Sequence, residues 1–251
     1  AGRDILRGTC RALLLDETQC DTWAHNQEYL GQICGYFSVP KVQVLETGPV
    51  RAVVRITTSC HESTLQRDFI LEEGSDGVLV KVKADFHEKH KTLKFAFPAA
   101  EKKTIASIPF GTIVRENLHG EEPCGSWIAS GPLAIANDGK YGYDTTDQEI
   151  RLTILRGAIY ADHYGDRDLY SEYMDQGVHE CSYLLYGFTD RTASEKRAQE
   201  LNFPLRHVME SFHPGALEES ASCFSCESDH IAVTAVKLSQ DSGEAVVRFF
   251  E

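Results

Sequence analysis

Two short motifs in the sequence have residue types and spacing that could bind a metal ion. The first is HEKH at residues 87–90, one residue shorter than the HExxH spacing that places two zinc-binding histidines on one face of a helix. The preceding residues alternate as in a strand, where side chains three positions apart lie on opposite faces. We therefore expect His87 and His90 to lie at a solvated strand end rather than to share a metal ion.

The second motif is the CxxC pair formed by Cys223 and Cys226. A structural zinc ion needs a second pair of ligands, and no such CxxC or HxxxH pair stands out. The eight cysteines have no regular spacing, and a chain of 251 residues does not need disulfides to fold. We predict reduced thiols, a cytoplasmic location and no metal ion bound by this chain.

The usual catalytic patterns are not recognisable in this sequence. It has no GxSxG elbow, no P-loop and no dinucleotide-binding fingerprint. Its 38 acidic residues would allow many glycosidase-like pairs to be drawn, so no single pair is informative. We assign no catalytic residue to the chain.

Aromatic residues interleaved with Gly, Asn, Asp and His give a hint of a ligand. Sugars stack on aromatic rings and hydrogen-bond to amides and carboxylates, so this mixture suits a carbohydrate. For any single residue we prefer the other interpretation, that it fills the loop end of a large β-sandwich. The set consists of Trp127, Tyr141, Tyr143, Tyr160, Tyr164, Tyr170 and Tyr173.

The elements that would hold these residues are strands almost throughout. Residues 78–86, 150–154 and 41–45 alternate between apolar and polar side chains, which predicts strands with one buried face. Residues 50–57 are rich in β-branched side chains, which favours a strand buried on both faces. The end of the chain predicts a hairpin, with strands at 231–238 and 245–250 around a polar loop.

Only two stretches have helical character. The weaker one lies at residues 27–31, and the stronger one lies at residues 194–200 with Thr192 as its N-cap. Residues 162–175 are polar and turn-rich, which predicts a long surface loop. Many strands with few helices indicate an all-β protein of packed antiparallel sheets, either one large sandwich or two smaller β-units.

The charge of the chain excludes some partners. The formal net charge is −13, which repels phosphate backbones and anionic lipid surfaces. No apolar run is long enough to span a bilayer. We therefore expect neither a nucleic acid nor a membrane as a partner, and homo-oligomerisation stays open.

Several motifs follow one another in a fixed order over most of the chain. They are DTWAHN at 21–26, ETGPVR at 46–51, DFHEKHKTLK at 85–94, IPFGTIVR at 108–115 followed by Glu122, Pro123 and Trp127, ANDGKYGYD at 136–144, LTILR at 152–156, DQGVH at 175–179, and two later segments that begin at Leu201 and Val236. In this order the motifs resemble those of the glycoside hydrolase family 38 α-mannosidases, and the resemblance rests on the whole series.

The resemblance implies a large antiparallel β-sandwich of the galactose-mutarotase-like kind, a supersandwich. We expect residues 1–251 to form this single C-terminal domain, with residues 1–35 as a segment that leads into it. Family members are retaining enzymes whose N-terminal domain binds zinc and carries an aspartate nucleophile. None of those motifs occurs here, so the resemblance implies that the zinc ion and the catalytic residues lie in a domain absent from this chain. The sequence begins with Ala1 rather than Met, and we expect an internal fragment of a longer protein.

The family's β region can also supply loops to the rim of the sugar site. In the block at residues 136–144, Gly139 and Gly142 allow a tight, projecting loop. The alternative is a turn in which Asp138 only accepts backbone hydrogen bonds, and we interpret Asp175 and His179 as structural. We predict substrate-proximal roles for Asn137, Asp138, Lys140, Tyr141 and Tyr143, with Arg115 and Trp127 behind them.

The partners that the resemblance implies are the N-terminal catalytic domain of the same protein and a mannose-containing carbohydrate. A function of a different class also stays open, namely a free-standing carbohydrate-binding sandwich with no enzyme attached.

Overall fold

The computed structural model describes residues 4–24, 31–99, 101–116, 120–160, 171–216 and 218–251. Residues 27–30 of the predicted helix and residues 162–170 of the predicted loop, including Tyr164 and Tyr170, lie outside these residues. In chain order the strands are β1 (Arg11–Asp16), β2 (Ile33–Tyr36), β3 (Ser38–Thr47), β4 (Arg51–Cys60), β5 (Ser63–Glu72), β6 (Gly77–Phe86), β7 (Lys91–Phe97), β8 (Lys103–Ile108), β9 (Gly111–Glu116), β10 (Glu122–Pro123), β11 (Trp127–Ser130), β12 (Leu133–Asn137), β13 (Gly142–Thr145), β14 (Ile150–Arg156), β15 (Gly177–Gly187), β16 (Ala232–Leu238) and β17 (Ala245–Phe250). The helix α1 spans Arg191–Asn202.

The strands form two large antiparallel sheets and one small one. The six-stranded sheet has the order β10-β13-β14-β7-β1-β2, and the nine-stranded sheet has the order β3-β4-β5-β6-β15-β12-β11-β8-β9. Strands β16 and β17 pair with each other as a separate ribbon. The prediction of an all-β antiparallel sandwich is confirmed.

The main hydrophobic core lies between the two large sheets. Leu14 and Phe95 enter it from the six-stranded sheet, while Val82, Ile135 and Tyr183 enter it from the nine-stranded sheet. Burial of these side chains is the dominant favourable contribution to folding. The period-two patterning of residues 78–86 is confirmed, because Val80, Val82 and Ala84 are buried while Lys81 and Lys83 are exposed.

A second, smaller core lies on the opposite face of the nine-stranded sheet. Helix α1 covers this face, and Ala198 of the helix packs with Trp127, Ala134 and Tyr186 of the sheet. The helix is confirmed, but its predicted N-cap is wrong. Asp190 rather than Thr192 caps it, because the Asp190 side chain accepts a hydrogen bond from the backbone N–H of Ala193.

The edge of the nine-stranded sheet differs from expectation. The β-branched stretch at residues 50–57 forms β4, but only Val53 and Thr58 of this strand are buried, so the prediction of burial on both faces is wrong. Its neighbour β3 is the last strand of the sheet, and nine of the ten residues of β3 are exposed. Burial of both faces of a strand requires packed layers above and below the sheet, and the narrower six-stranded sheet leaves this end of the nine-stranded sheet largely uncovered.

The C-terminal hairpin forms as predicted, with β16 and β17 joined across the polar loop at residues 239–244. Among the described residues, no helix has the length and apolar character that crossing a membrane requires.

Candidate functional site

The loop after β12 is built around the buried side chain of Asn137. Its Nδ2 donates to the Gly125 carbonyl oxygen at 3.0 Å, and its Oδ1 accepts from the backbone N–H groups of Gly139 and Lys140 at 3.1 and 2.8 Å. Asn202 of α1 donates from its own Nδ2 to the Asn137 carbonyl oxygen at 3.0 Å. Asn137 therefore fixes the shape of the loop, and Gly139 permits that shape with a φ of +126°.

The side chains of this loop point toward two separate grooves. Asp138 is exposed and lines a groove of about 450 Å³ together with Lys81, Lys83 and Glu180. Tyr141 is 59% exposed and lines a different groove of about 750 Å³. The loop thus brings Asp138 and Tyr141 together in sequence but separates them on the surface, with the half-buried Lys140 between them.

The groove beside Tyr141 lies between helix α1 and strand β16. Tyr141 and Phe203 supply aromatic rings, and Gln199, Asn202 and Thr234 supply amide and hydroxyl groups. Both rings are exposed. Rings and amides around one cleft suit the stacking and hydrogen bonding that a sugar requires.

Arg115 forms hydrogen bonds with Tyr143 and Pro123 beside this loop. The Tyr143 side chain is buried, and Nη1 of Arg115 donates to its hydroxyl at 3.4 Å and to the Pro123 carbonyl oxygen at 2.9 Å. Nε of Arg115 lies 3.1 Å from Oε2 of Glu122. Burial raises the pKa of the Tyr143 hydroxyl, which the nearby Arg115 partly opposes, so the phenol stays protonated at neutral pH.

Trp127 lies fully inside the second core. Its Nε1 donates to Oε2 of Glu195 on α1 at 3.0 Å, and its ring stacks on Phe188 at 6.4 Å between centroids. Trp127 therefore holds helix α1 on the sheet. Of the predicted substrate-proximal residues, the structure places Asp138 and Tyr141 in solvent and buries Asn137, Tyr143 and Trp127. Contact of any of them with a sugar stays a prediction.

The HEKH segment connects the end of β6 to the start of β7, but it is not solvated throughout. His87 is half-exposed beside Asp85, as expected for a strand end. Glu88, in contrast, is buried, accepts a hydrogen bond from Oγ of Ser63 at 2.9 Å and lies 2.9 Å from Nδ1 of His61. The expectation of a solvated strand end is therefore wrong for Glu88, whose carboxylate ties the segment to the β4–β5 turn.

Sequence reasoning missed a polar cluster at the end of β14. Residues from three of the motifs that carry the family resemblance meet there. Nε and Nη2 of Arg156 donate to Oε1 of Glu17 at 2.8 and 2.5 Å. The Arg156 backbone N–H donates to Oδ2 of Asp175 at 2.9 Å, and the Tyr173 hydroxyl lies 3.0 Å from Nε2 of His90. Arg156, Asp175 and His90 each lie in a motif of the family resemblance, which was the signal in the sequence, but Glu17 lies 139 residues from Arg156. Sequence spacing gives no distance across such a gap.

The described residues offer no metal centre. No group of three or more His, Cys, Asp and Glu side chains comes together within them closely enough to hold an ion. Cys223 and Cys226 are both exposed free thiols. This part of the chain therefore does not fit the zinc ion of the family, which the resemblance assigns to another domain.

The fold defines the chain as an all-β protein built from two packed antiparallel sheets. Residues 12–164 match the sequence profile described as "Glycosyl hydrolases family 38 C-terminal domain", so the chain belongs to this family.

Two curated relatives are similar to the chain, and both are named α-mannosidase. It is 28% identical over 209 residues to "Alpha-mannosidase 2C1" of Homo sapiens, which covers 75% of this chain and 19% of the relative. It is 26% identical over 196 residues to the protein of the same name from Mus musculus, which covers 71% of this chain and 18% of the relative. The chain thus spans about a fifth of the length of these relatives.

Two solved structures share the fold. A crystal structure of an α-mannosidase from Enterococcus faecalis V583 superposes with a TM-score of 0.74 and 15% identity, over 98% of this chain and 33% of that one. Another, a glycosyl hydrolase family 38 protein from Enterococcus faecalis, superposes with a TM-score of 0.66 and 17% identity, over 84% of this chain and 30% of that one. At these identities the likeness shows the fold.

Proposed function

We propose that this chain is the non-catalytic β-domain of a retaining, zinc-dependent α-mannosidase. The enzyme would remove terminal α-mannosides from glycans or oligosaccharides, and the zinc ion, the nucleophile and the acid/base carboxylate would lie in a separate catalytic domain. The observation that carries the proposal is the family match over residues 12–164, together with the α-mannosidase relatives. The proposed location is the cytoplasm, where the free thiols would stay reduced.

An exposed apolar segment after helix α1 supports the proposed packing against a catalytic domain. Residues 203–212 leave α1 without regular secondary structure, and this segment carries large apolar side chains that lie almost fully in solvent. A contiguous apolar surface of this kind marks an interaction site rather than an ordinary monomer surface. The side chains are Phe203, Leu205, Val208, Met209 and Phe212.

The Tyr141 groove supports the proposed contribution to the rim of the sugar site. Tyr141 can stack on the apolar face of a pyranose ring, and Gln199 can hydrogen-bond to sugar hydroxyls. These residues would position a glycan and would not take part in bond cleavage. A mannose-containing carbohydrate is therefore the proposed ligand of this groove.

The experiment compares this chain with the full-length protein on a chromogenic α-mannoside, each with and without added zinc. We expect turnover by the full-length protein and none by this chain alone, because the described residues supply no recognisable nucleophile or metal centre. Turnover by the isolated chain would contradict the assignment of catalysis to another domain. A full-length protein that is folded, zinc-loaded and inactive on α-mannosides would contradict the proposed activity.

A further inference from the structure

The two sheets of the sandwich differ in width, and the wider one carries an uncovered apolar surface. The chain leaves the six-stranded sheet at the end of β2, passes Phe37 and continues directly as β3 at the edge of the nine-stranded sheet. Leu65 of β5 faces the main core, and Arg67 of the same strand lies over the Phe95 ring across that core. Odd-numbered residues of β5 therefore point to the inner side of the nine-stranded sheet.

The strand register extends this inner side onto β4 and β3. Arg67 pairs with Ile56, which pairs with Val42, and Phe69 pairs with Val54, which pairs with Val44. Leu71 lies on the same side of β5. We define the β3 inner face as Val42, Val44, Val54, Ile56 and Leu71.

This face is apolar and largely in water. Val42 and Val44 are 60% and 63% exposed, and Leu71 is 50% exposed. The opposite side of β3 carries Lys41 and Gln43, and Gln43 pairs with Arg55, which forms two hydrogen bonds with the Asp68 carboxylate. Such alternation is the pattern of a strand whose apolar side is buried, yet no described residue covers that side of β3.

The backbone edge of β3 is also open. Among the described residues β3 pairs only with β4, so alternate residues along its other edge offer N–H and C=O groups to a further strand, apart from Pro40, which has no N–H. Native proteins cover or blunt edge strands, because an open edge accepts a further strand. An open edge beside an uncovered apolar face fits a ligand that is itself a strand with one apolar side.

We propose that β3 and the β3 inner face dock a strand-forming segment of the same mannosidase polypeptide, which pairs with the free edge of β3 and lays apolar side chains over Val42 and Val44. The proposal rests on the proposed function, since it places this chain in a longer polypeptide. The curated relatives are about five times as long as the matched part, and in the solved α-mannosidase 98% of this chain superposes on a third of a longer chain. A longer polypeptide of this kind would supply the strand at high effective concentration, because the strand and β3 would be covalently linked.

Hydrogen exchange measured by mass spectrometry tests the docking directly. In this chain the β3 amides that point away from β4 should exchange quickly, and in the full-length protein the peptide covering residues 38–47 should exchange at least about 10-fold more slowly. Equal exchange in the two proteins would overturn the proposal. Protection that appears in this chain alone as its concentration rises, with a dimer in analytical ultracentrifugation, would make a second copy the occupant and would also overturn it.

A matched pair of variants separates the two faces of β3. Val44→Asp places a charge on the β3 inner face, and Gln43→Asp places the same charge on the opposite face. Both should leave the melting temperature of this chain nearly unchanged, because both sites lie in solvent. In the full-length protein only Val44→Asp should lower the melting temperature and restore fast exchange in residues 38–47. Equal behaviour of the two full-length variants would contradict the docking, whereas an absence of α-mannosidase activity with β3 protected would contradict only the proposed function.

Discussion

Arg156 and Glu17 form a buried ion pair in which two guanidinium nitrogens of Arg156 donate to one carboxylate oxygen of Glu17. The Glu17 side chain has no solvent exposure, while the Arg156 side chain is 22% exposed. The backbone N–H of Arg156 also binds Asp175. The pair therefore joins the loop after β1 to the end of β14 and to the start of β15.

Arg156→Ala should destabilise the protein strongly, because it leaves the Glu17 carboxylate buried without its partner. Removing one partner of a buried ion pair typically costs about 3–5 kcal/mol of unfolding free energy. Urea unfolding monitored by circular dichroism measures the change. The matched control is Lys196→Ala, which removes the exposed Lys196–Asp229 pair and should cost at most about 1 kcal/mol. Equal stability of the two variants would show that the Arg156–Glu17 pair contributes nothing.

Lys94 allows a second test of how much a buried ion pair contributes to stability. Its side chain, on β7 of the six-stranded sheet, is fully buried. Its Nζ lies 2.8 Å from Oδ2 of Asp144 and also contacts Glu121. Lys94→Met should lower the unfolding free energy by about 3–5 kcal/mol, because Arg151 is then the one cationic partner of Asp144 among the residues that the structure describes.

Combining Lys94→Met with Asp144→Leu should recover part of that loss, because the second change removes one of the carboxylates that lost Lys94 as a partner. The double-mutant cycle in urea gives the coupling between the two side chains. Strictly additive effects would mean that Lys94 and Asp144 do not interact.

Alkaline pH should destabilise the fold through buried thiols. Burial raises the pKa of Cys124 to about 12 and the pKa values of Cys10 and Cys181 to about 11, from 9.0. The unfolded chain therefore releases these protons first as the pH rises. The contribution of the thiols to stability is constant below about pH 9 and falls above it, toward pH 11 for Cys10 and Cys181 and toward pH 12 for Cys124. Each thiol contributes at most about 1.4 kcal/mol per pH unit within that window.

Unfolding free energies measured at pH 8, 9, 10 and 10.5 check this slope. Cys124→Ala should give a shallower decline, whatever its effect on stability at pH 8. A Cys223→Ala control should keep the full slope, because Cys223 is exposed. An unchanged slope for Cys124→Ala would exclude Cys124 as a source of the alkaline sensitivity.

Substitutions in the loop after β12 should separate sugar contact from loop shape in the full-length enzyme. Tyr141→Ala and Asp138→Ala should raise KM or lower kcat at unchanged melting temperature, because both side chains lie in solvent. Loss of one hydrogen bond to substrate costs about 0.5–1.5 kcal/mol, and up to about 3 kcal/mol for a charged group. Asn137→Ala should instead lower the melting temperature, since it removes three hydrogen bonds that shape the loop. Wild-type kinetics in both exposed variants would remove this loop from the sugar site.

Much of the fold follows from local sequence patterns. Strand β6 and the β16–β17 hairpin could be predicted because period-two alternation and a polar loop depend only on residues that are adjacent in sequence. The exposure of β4 could not, because it depends on which layers of the fold pack over its two faces rather than on its own β-branched residues. The cap of α1 was ambiguous locally, since Asp190 and Thr192 are both residue types that favour the N-cap.

The candidate site was only partly predictable for a related reason. Gly139 correctly indicated a turn after Asn137, whereas Gly142 begins strand β13 without a positive φ. Sequence could not show that Tyr141 and Asp138 would face different grooves. That separation follows from the position of helix α1 and strand β16, which come from later parts of the chain. The Arg156–Glu17 pair depends in the same way on two residues that only the complete six-stranded sheet brings together.

The pairing of β6 with β15 has a consequence for how the protein is made. These strands are adjacent in the middle of the nine-stranded sheet and pair Phe86 with Gly177, yet about 90 residues separate them in sequence. During translation β6 is complete long before β15 leaves the ribosome. The edge of β6 that later pairs with β15 therefore stays unpaired while the intervening residues are synthesised, at about 5–20 residues per second. Nascent chains halted between residues 90 and 175 should therefore be the most prone to aggregation and the most dependent on chaperones, while release of β15 should close the sheet.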